Sequence, residues 1–378
     1  MAITLTDLIP DFYAALNLVS RELVGMVPSA TINAAPERAA LNQAIKIPIA
    51  EKASDSIDVV PSMTPPTPAT TSFSNTELKI TKSKAQRFSF TGDEQKEMMS
   101  GIGLISGRAN IIAEKIRALV NEVEADLTSL YSTCSRAYGT AGTTAFSSGI
   151  GDTAQLRKIL NDNGAPTFDR QLVLDTTNEA AMLSNTQLTK ANEAGSTDPM
   201  RRGVLLDVHG FAIRASGQSE LHTKGTGTGY VVNGTFSAGD TTITLDTGTG
   251  TVLAGDVVTF AGSAYKYVVK TGTTAAGDIV IAAPGLVEDI ADDAVMTITS
   301  DYSASMAFHR NAIQLVMRAP SLPEEGDLAV DRQIIVDPNS GIPFELSVYK
   351  GYKMVAYEIG LAWGYGNIKP EHSALLIS

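Results

Sequence analysis

One stretch organises this chain: residues 91–139, which read TGDEQKEMMSGIGLISGRANIIAEKIRALVNEVEADLTSLYSTCSRAYG. Its apolar residues recur at a mean spacing of about 3.6, the period of an α-helix. Thr91 and Glu94 fit a capping box at the start, while Arg136 and Gly139 fit a last-turn cation and a terminal glycine. The pattern predicts a single spine helix on the order of 60–70 Å long. Its apolar residues are Met98, Ile102, Ile105, Ala109, Ile112, Ile116, Leu119, Val123, Leu127, Leu130 and Cys134.

Composition narrows the function. A chain of 378 residues predicts two or three domains, and 43% hydrophobic residues suffice for buried cores. A net charge of −12 argues against a surface that grips nucleic acid. No secretion signal and no apolar run of membrane-spanning length are evident, so we expect a protein made in the cytosol, without a membrane partner. The lone Cys134 lies on the apolar stripe and is expected to be a buried hydrophobe rather than a reactive thiol.

The N-terminal region predicts an amphipathic helix over residues 10–25 that carries Phe12, Leu16, Val19 and Leu23 on one stripe. An extended segment follows, to about residue 43. Because so short and exposed a helix is unstable alone, it must dock, either on its own chain or on a neighbour.

Residues 44–90 contain two strand-like arms, 44–50 and 76–90, around a proline-rich middle. A two-stranded ribbon with little apolar surface is marginal in water. A disordered linker is one interpretation. We favour a long β-hairpin that projects from the body and, like the N-terminal arm, is stabilised by lying across another subunit.

Charged residues suggest how such a contact is made. The second arm carries a run of basic residues, whereas the chain as a whole is acidic. The acidic helix surface of a neighbouring subunit is an available partner for this run. Each exposed ion pair contributes only about 0–1 kcal/mol. A solvated face is the ordinary explanation of such a run. The candidate inter-subunit residues are Lys79, Lys82, Lys84, Arg87, Glu114, Glu122, Glu124, Phe12 and Leu16.

From residue 152 the sequence is typical of a compact α/β unit. A β-rich insertion interrupts it between residues 219 and 300, where Ala-Gly-Asp recurs at Ala238, Ala254 and Ala276. Six short strands with regular turns indicate a small barrel or sandwich. The predicted elements are a helix at 152–163, a strand at 171–175, helices at 177–183 and 187–193, a strand pair at 204–216, insertion strands at 230–232, 242–245, 257–260, 265–270, 279–282 and 295–298, and strands at 333–336, 344–349 and 352–361.

Motifs for catalysis and cofactor binding were searched for without success. The chain has no phosphate-binding loop and no nucleophile elbow, and its four histidines lack metal-ligand spacing. His309 is expected to be a hydrogen-bonded structural residue. We therefore expect neither an enzyme nor a cofactor.

Five segments carry a family resemblance through their order: residues 8–10 (LIP), 19–25 (VSRELVG), 307–312 (AFHRNA), 341–345 (GIPFE) and 360–364 (GLAWG). With the split α/β region and its insertion, the chain resembles the tailed-phage major capsid proteins of the Hong Kong 97-type fold. It is most similar to the coat proteins of short-tailed Salmonella-type phages.

The resemblance implies an α+β fold with six parts. These are an N-terminal arm (1–43), an extended β-hairpin loop (44–90), a peripheral domain with the spine helix (91–151), an axial domain in two parts (152–218 and 304–378) and an inserted β-barrel (219–303).

The same resemblance implies a function. Hexamers and pentamers would close into an icosahedral shell around double-stranded DNA, bound without sequence specificity. A separate scaffolding protein and a portal protein would be partners, and the virion capsid would assemble in the host bacterial cytoplasm. Two alternatives stay open: an encapsulin-type compartment, and a carbohydrate-binding structural protein that uses the β insertion.

Overall fold

The computed structural model describes residues 5–22, 25–49, 59, 61, 63, 74–99, 104–189, 207–338 and 340–378. Its helices are α1 (Leu5–Glu22), α2 (Met26–Ser29), α3 (Gly92–Met99), α4 (Leu104–Thr128), α5 (Gly151–Asp162), α6 (Thr176–Leu183) and α7 (Thr186–Thr189). Short 3₁₀ turns lie at Ser129–Thr133, Arg310–Ala312 and Pro370–His372.

The strands, in chain order, are β1 (Thr31–Ala39), β2 (Ala44–Ile49), β3 (Ser74–Lys79), β4 (Lys82–Thr91), β5 (Arg136–Gly139), β6 (Arg170–Leu174), β7 (Phe211–Ala215), β8 (Leu221–His222), β9 (Val231–Val232), β10 (Thr242–Asp246), β11 (Val257–Phe260), β12 (Lys266–Thr271), β13 (Gly277–Ile281), β14 (Met296–Ile298), β15 (Tyr302–His309), β16 (Ile313–Pro320), β17 (Ala329–Val336), β18 (Pro343–Gly351), β19 (Met354–Asn367) and β20 (Ser373–Ile377). The fold is therefore a mixed α+β fold.

The first sheet has six strands and is built around the long strand β19, which pairs antiparallel with β4, β16 and β18. Strand β1 pairs parallel with β16, and β17 pairs with β18 at the end of the order. Helices α1 and α4 share one hydrophobic core with this sheet. Within it the Phe12 ring meets Phe344 edge-on at 6.4 Å, and Trp363 is fully buried.

The second sheet carries the order β7-β6-β15-β20-β5. Neighbours β6 and β7 are parallel, as are β20 and β5, while β15 is antiparallel to both β6 and β20. A separate core forms where apolar residues of α5 and α6, such as Leu156, Leu160 and Met182, meet these strands. Strand β5 also pairs with β12, so this sheet continues into the insertion.

The insertion forms a closed ring of six strands in the order β9-β10-β13-β12-β11-β14. Val231 bridges Val295, and the Met296 amide donates to the Tyr230 carbonyl at 2.9 Å, so the last strand returns to the first. The ring encloses its own hydrophobic core. All six strands predicted from the sequence are present, with ends that differ by one or two residues. The two chain ends of the insertion meet, because His222 of β8 pairs with Tyr302 of β15.

Two of the three Ala-Gly-Asp repeats make the same turn. Asp240 accepts from the Ser237 amide at 2.8 Å, and Asp256 accepts from the Leu253 amide at 2.7 Å. The intervening glycines have φ of +97° and +95°, a conformation that L side chains rarely adopt. The repeat therefore marks the turn chemistry that separates barrel strands.

The prediction of one continuous helix to Gly139 is wrong. Helix α4 ends at Thr128, a 3₁₀ turn follows, and Arg136 and Gly139 lie in strand β5; residues 100–103, between α3 and α4, lie outside the described residues. The hydroxyls of Ser129 and Thr133 each donate to the backbone carbonyl three residues earlier, and such bonds compete with the regular helical pattern. The capping box is confirmed, since the Thr91 amide donates to Glu94 Oε2 at 2.7 Å and the Glu94 amide to Thr91 Oγ1 at 3.3 Å.

Two further boundaries differ from prediction. Helix α1 begins at Leu5 and holds Pro10 in its interior rather than in its first turn. The second hairpin arm, predicted over residues 76–90, is two strands that separate at Ile80 and Thr81, because the Thr81 amide donates to the Trp363 carbonyl of the first sheet. Strand β3 then pairs with β2, whereas β4 pairs with β19. Most of the proline-rich middle lies outside the described residues.

The α/β elements agree better with prediction. Helix α5 spans the predicted residues 152–163 to within one residue, and Gly164 follows it with φ of +75°. Strand β6, helix α6 and the strands β17, β18 and β19 also lie where predicted. Strand β6 is shifted by one residue, α6 begins one residue earlier, and β17, β18 and β19 are longer than predicted. Of the predicted helix 187–193, residues 190–193 lie outside the described residues. So does the start of the predicted strand pair 204–216, whose turn at His209 and Gly210 is present.

Candidate subunit-contact surface

The two apolar contact candidates lie inside the chain's own core. Phe12 and Leu16 are at most 1% exposed and belong to the cluster formed by α1, α4 and the first sheet. The expectation that the arm helix lacks apolar cover within its own molecule is therefore incorrect. Neither side chain can reach a neighbouring copy while α1 is packed in this way.

Two of the basic candidates pair with the spine helix of the same chain. Lys82 Nζ lies 2.6 Å from Asp126 Oδ1 and 3.6 Å from Glu122 Oε1, and Lys84 also pairs with Glu122. The hydrogen bond to Asp126 raises the pKa of Lys82 above its usual value. The predicted attraction between basic arm and acidic helix thus exists within one molecule.

The remaining charged candidates divide into three local arrangements. Arg87 pairs with Glu358, its cross-strand neighbour on β19, and Glu114 pairs with Arg117 one turn along α4. Lys79 is exposed at the end of β3. Exposed ion pairs of this kind contribute about 0–1 kcal/mol each to stability. These pairs therefore add little to the stability of the fold.

Glu124 is a structural anchor for the start of α2. Its buried carboxylate accepts hydrogen bonds from the amides of Met26 and Val27, the latter at 2.8 Å. A Cβ at Gly25 would overlap that carboxylate, which explains the glycine there. Burial and these two hydrogen bonds give Glu124 a structural role within its own chain.

Sequence reasoning missed Asp126 and Trp363. The Asp126 carboxylate accepts hydrogen bonds from Lys82 Nζ at 2.6 Å and from Trp363 Nε1 at 2.8 Å. Each of its two oxygens therefore accepts one hydrogen bond. Asp126 and Trp363 are buried, so this contact ties α4 to β4 and β19. The sequence did contain a signal for this contact. Asp126 adjoins the apolar stripe of the helix, and Trp363 is the one tryptophan of the chain.

Exposed apolar side chains gather at one end of the first sheet. Leu328 is 89% exposed just before β17, and Val330 near the start of β17 is exposed as well, whereas the exposed Val336 lies at the opposite end of that strand. The β18–β19 turn adds Tyr352 and Met354. Strand β17 pairs with β18 alone among the described strands, so it offers an unpaired edge. Contiguous apolar residues at a sheet edge mark association surfaces.

A groove of about 700 Å³ adjoins this end of the sheet. It lies between the start of α3 and the β18–β19 turn and is lined by residues that include Phe90, Gly92, Lys350, Tyr352 and Met354. Its mixture of apolar and polar side chains suits a polypeptide segment better than a small molecule. We take β17, the β18–β19 turn and this groove together as the candidate contact surface.

A buried polar set connects the barrel to the end of the spine. The Tyr131 hydroxyl lies 2.9 Å from His222 Nδ1, and His222 Nε2 lies 2.8 Å from Asp256 Oδ1. Asp256 also accepts from the Gly225 amide at 3.0 Å. Burial raises the pKa of Tyr131 to about 12, so its hydroxyl stays protonated. All three side chains are buried, so the set holds elements together rather than meeting a substrate.

The residues that invited a reactive interpretation are structural. Cys134 is fully buried, and burial raises the pKa of its thiol to about 12, which confirms the expectation of a buried hydrophobe. His309 accepts from the Asn311 amide at 3.3 Å, as expected of a structural histidine, and burial lowers its pKa. Across the described residues, no group of three or more His, Cys, Asp and Glu side chains could hold a metal ion.

In the part of the chain that the structure describes, none of the helices combines the length and apolar character needed to cross a membrane.

Comparisons with known proteins complete the description. Family profiles and curated proteins give no match to this chain. Among solved structures, the capsid of the cyanophage P-SCSP1u is 13% identical with a TM-score of 0.48, and the match covers 92% of this chain and 86% of that one. A chain of Mycobacterium phage Che8 is 14% identical with a TM-score of 0.43, covering 89% and 85%. The virus-like particle from Pyrococcus furiosus is 10% identical with a TM-score of 0.44, covering 97% and 98%. These TM-scores and identities are low, and such likenesses decide nothing about what this chain does.

Proposed function

We propose that this chain is a shell-forming coat protein, the major capsid protein of a tailed phage. The observation that carries the proposal is the exposed apolar edge at β17 and the β18–β19 turn. A well-packed molecule that leaves such an edge open is built to associate. The predicted division into six parts remains part of the proposal; the first sheet joins strands from three of those parts, namely β1, β4 and β16–β19.

Assembly by multivalent contacts is the mechanism that this surface supports. Each edge contact buries little, but a subunit in a closed symmetric shell makes several contacts at once, and their free energies combine. The candidate surface of one copy would meet a different surface of the next, and such head-to-tail contacts close into rings. Hexamers and pentamers are the rings that an icosahedral shell requires.

The finer parts of the proposal follow from the resemblance. A separate scaffolding protein would guide closure, a portal protein would occupy one vertex, and the shell would enclose double-stranded DNA in the virion after assembly in the host bacterial cytoplasm. The net charge of −12 suits a container that does not bind its DNA tightly. Among the ribbon residues whose burial the structure describes, Ile47 and Leu78 are the buried ones, so we propose that a neighbouring copy covers the remaining surface of β2 and β3.

Electron microscopy of the chain expressed with and without a scaffolding partner tests the proposal. We expect closed shells of uniform size when the partner is present. Monomers under all conditions would contradict a coat function.

A pair of variants tests the contact surface itself. Val330→Lys places a charge on the open edge, so we expect normal folding with a severe loss of shells. Leu253→Lys changes a comparably exposed leucine of the barrel and should leave shells intact. Normal assembly of Val330→Lys would remove β17 from the contact surface, even if the shell itself is confirmed.

A further inference from the structure

A small cleft separates the α/β unit from the barrel. It has a volume of about 260 Å³ and lies between α5, strand β5 and the loop that enters β12. Its charged lining residues are Arg136, Lys158, Lys266 and Asp162, so three cations face one carboxylate. This excess of positive charge is unusual in a chain with a net charge of −12.

Arg136 is a buried cation with incomplete pairing. The residue is 2% exposed, and its Nη2 donates to the Ile159 carbonyl and to Asn163 Oδ1, each at 3.2 Å, and to Asp162 Oδ2 at 3.4 Å. Within the described chain its Nε has no hydrogen-bond partner. The Asp162 side chain is 41% exposed, so water screens that ion pair. A buried charge without full pairing is costly, so an anion in the cleft would be attracted to Arg136.

The other two cations approach the same space. Lys266 donates to the Gly139 carbonyl, and burial lowers its pKa. Lys158 is exposed on α5, one turn before Asp162. The Tyr265 ring, 5.4 Å from the Arg136 guanidinium, closes the barrel side of the cleft.

We propose that this cleft binds a small multivalent oxyanion, with inorganic phosphate as the representative ligand. Guanidinium and ammonium groups together are the usual recognition set for phosphate. The cleft is smaller than the roughly 300–1,000 Å³ of pockets for drug-sized molecules, so a compact anion fits it. Three cations favour a dianion over a monovalent carboxylate, because each added charge increases the attraction.

A bound oxyanion would reinforce the junction between barrel and α/β unit. Strands β5 and β12 share only two register pairs, Lys266 with Ala137 and Tyr267 with Arg136. An anion held by Lys158 from α5 and Lys266 from β12 would add to the hydrogen bond of Lys266 with Gly139 and to the contact of Tyr265 with Arg136 across the same boundary. Ligation would therefore stabilise the orientation of the barrel on the sheet.

Calorimetric titration of the full chain with inorganic phosphate, at constant ionic strength, tests the proposal. We expect saturable binding, weakened about fivefold in Lys158→Gln because an exposed charge is lost. Lys270→Gln removes another exposed lysine, on β12 but outside the cleft lining, and should bind as the parent does. Because Lys158 and Lys270 are exposed, both variants are expected to fold, which thermal unfolding verifies.

Three results would overturn the proposal. The first is the absence of saturable phosphate binding. The second is equal affinity in the parent chain and in Lys158→Gln. The third is acetate binding as tight as phosphate binding, which would exclude a preference for a multivalent anion. None of these measurements depends on shell formation, so the coat function and the anion site fail or succeed separately.

Discussion

At the scale of single residues, the contact that joins helix to sheet is a carboxylate. Asp126 lies on α4 beside Val123 and Leu127 of the apolar face and holds both Lys82 and the indole of Trp363. Its neighbour Glu122 pairs with the same lysine from a more exposed position. Asp126 and Glu122 carry the same charge but differ in burial, so we expect their removal to change the free energy of unfolding by different amounts.

Replacing Asp126 by Ala should destabilise the chain by about 1–3 kcal/mol, because the buried Trp363 Nε1 loses its acceptor. Glu122→Ala is the matched control and should cost less than about 1 kcal/mol, as exposed pairs do. Denaturant unfolding followed by tryptophan fluorescence measures both. Equal losses in the two variants would show that the indole hydrogen bond contributes little.

Two histidines predict a dependence of stability on pH. Burial lowers the pKa of both His309 and His372 below the ordinary value of 6.5, and their rings lie 6.1 Å apart. The folded state therefore binds fewer protons than the unfolded state in this range. Stability is fully present above pH 6.5, is lost as the pH falls below it, and levels off below the folded pKa.

Thermal unfolding between about pH 7.5 and pH 5 tests this dependence. The unfolding midpoint of the parent chain should fall with pH, and His372→Gln should show a smaller fall because one titrating group is gone. An unchanged dependence in that variant would assign the effect to other groups.

At the scale of elements, the sequence predicted what is buried better than what is helical. The stripe of α4 continues through Leu130 and Cys134 with helical spacing, and both residues are indeed buried. Helix α4 nevertheless ends at Thr128. The spacing of apolar residues indicates which side chains are buried, but it does not indicate where the helical backbone hydrogen bonds end. Arg136, expected to close that helix, instead donates to the Ile159 carbonyl near the end of α5. Its role depends on a long-range contact that no local pattern contains.

Gly139 gives a test of close packing between β5 and β20. It has φ of +107°, and a Cβ there would overlap the Ile377 carbonyl. Gly142 has φ of +77° but open space around it, so it serves as the control for backbone strain alone. Gly139→Ala should cost about 1–3 kcal/mol more than Gly142→Ala, because only the first adds overpacking.

Unfolding free energies of the two alanine variants decide the matter. A similar loss in both would show that β5 can shift away from β20 without penalty.

At the scale of the whole molecule, the β insertion was predictable, and the strand pairings that connect it to the rest of the chain were not. Regular turns and short strands between residues 219 and 300 predicted the insertion. Nothing local indicated that its strand β12 would pair with β5, or that β4 would leave the hairpin for β19, because such pairings are decided by packing far along the chain. For the same reason the sequence did not indicate that most of the candidate contact residues, such as Lys82, Lys84, Arg87 and Glu124, have partners in the same molecule.

The barrel should fold when expressed alone. Its six strands close a ring around a separate core, so a fragment of residues 223–300 contains what it needs. We expect cooperative thermal unfolding and dispersed amide resonances in NMR spectra. A disordered fragment would show that contacts with the rest of the chain are required for folding, such as the pairing of β12 with β5 and the hydrogen bond between His222 and Asp256.

The meeting of His222 and Tyr302 as cross-strand partners has a consequence for the history of such chains. The chain leaves the sheet after His222 and re-enters it at the paired residue Tyr302. Deleting residues 223–301 would therefore leave two adjacent strands that a tight turn can join. This position is therefore an insertion point, where domains of different size can be gained, exchanged or lost without changing the topology of the surrounding sheet.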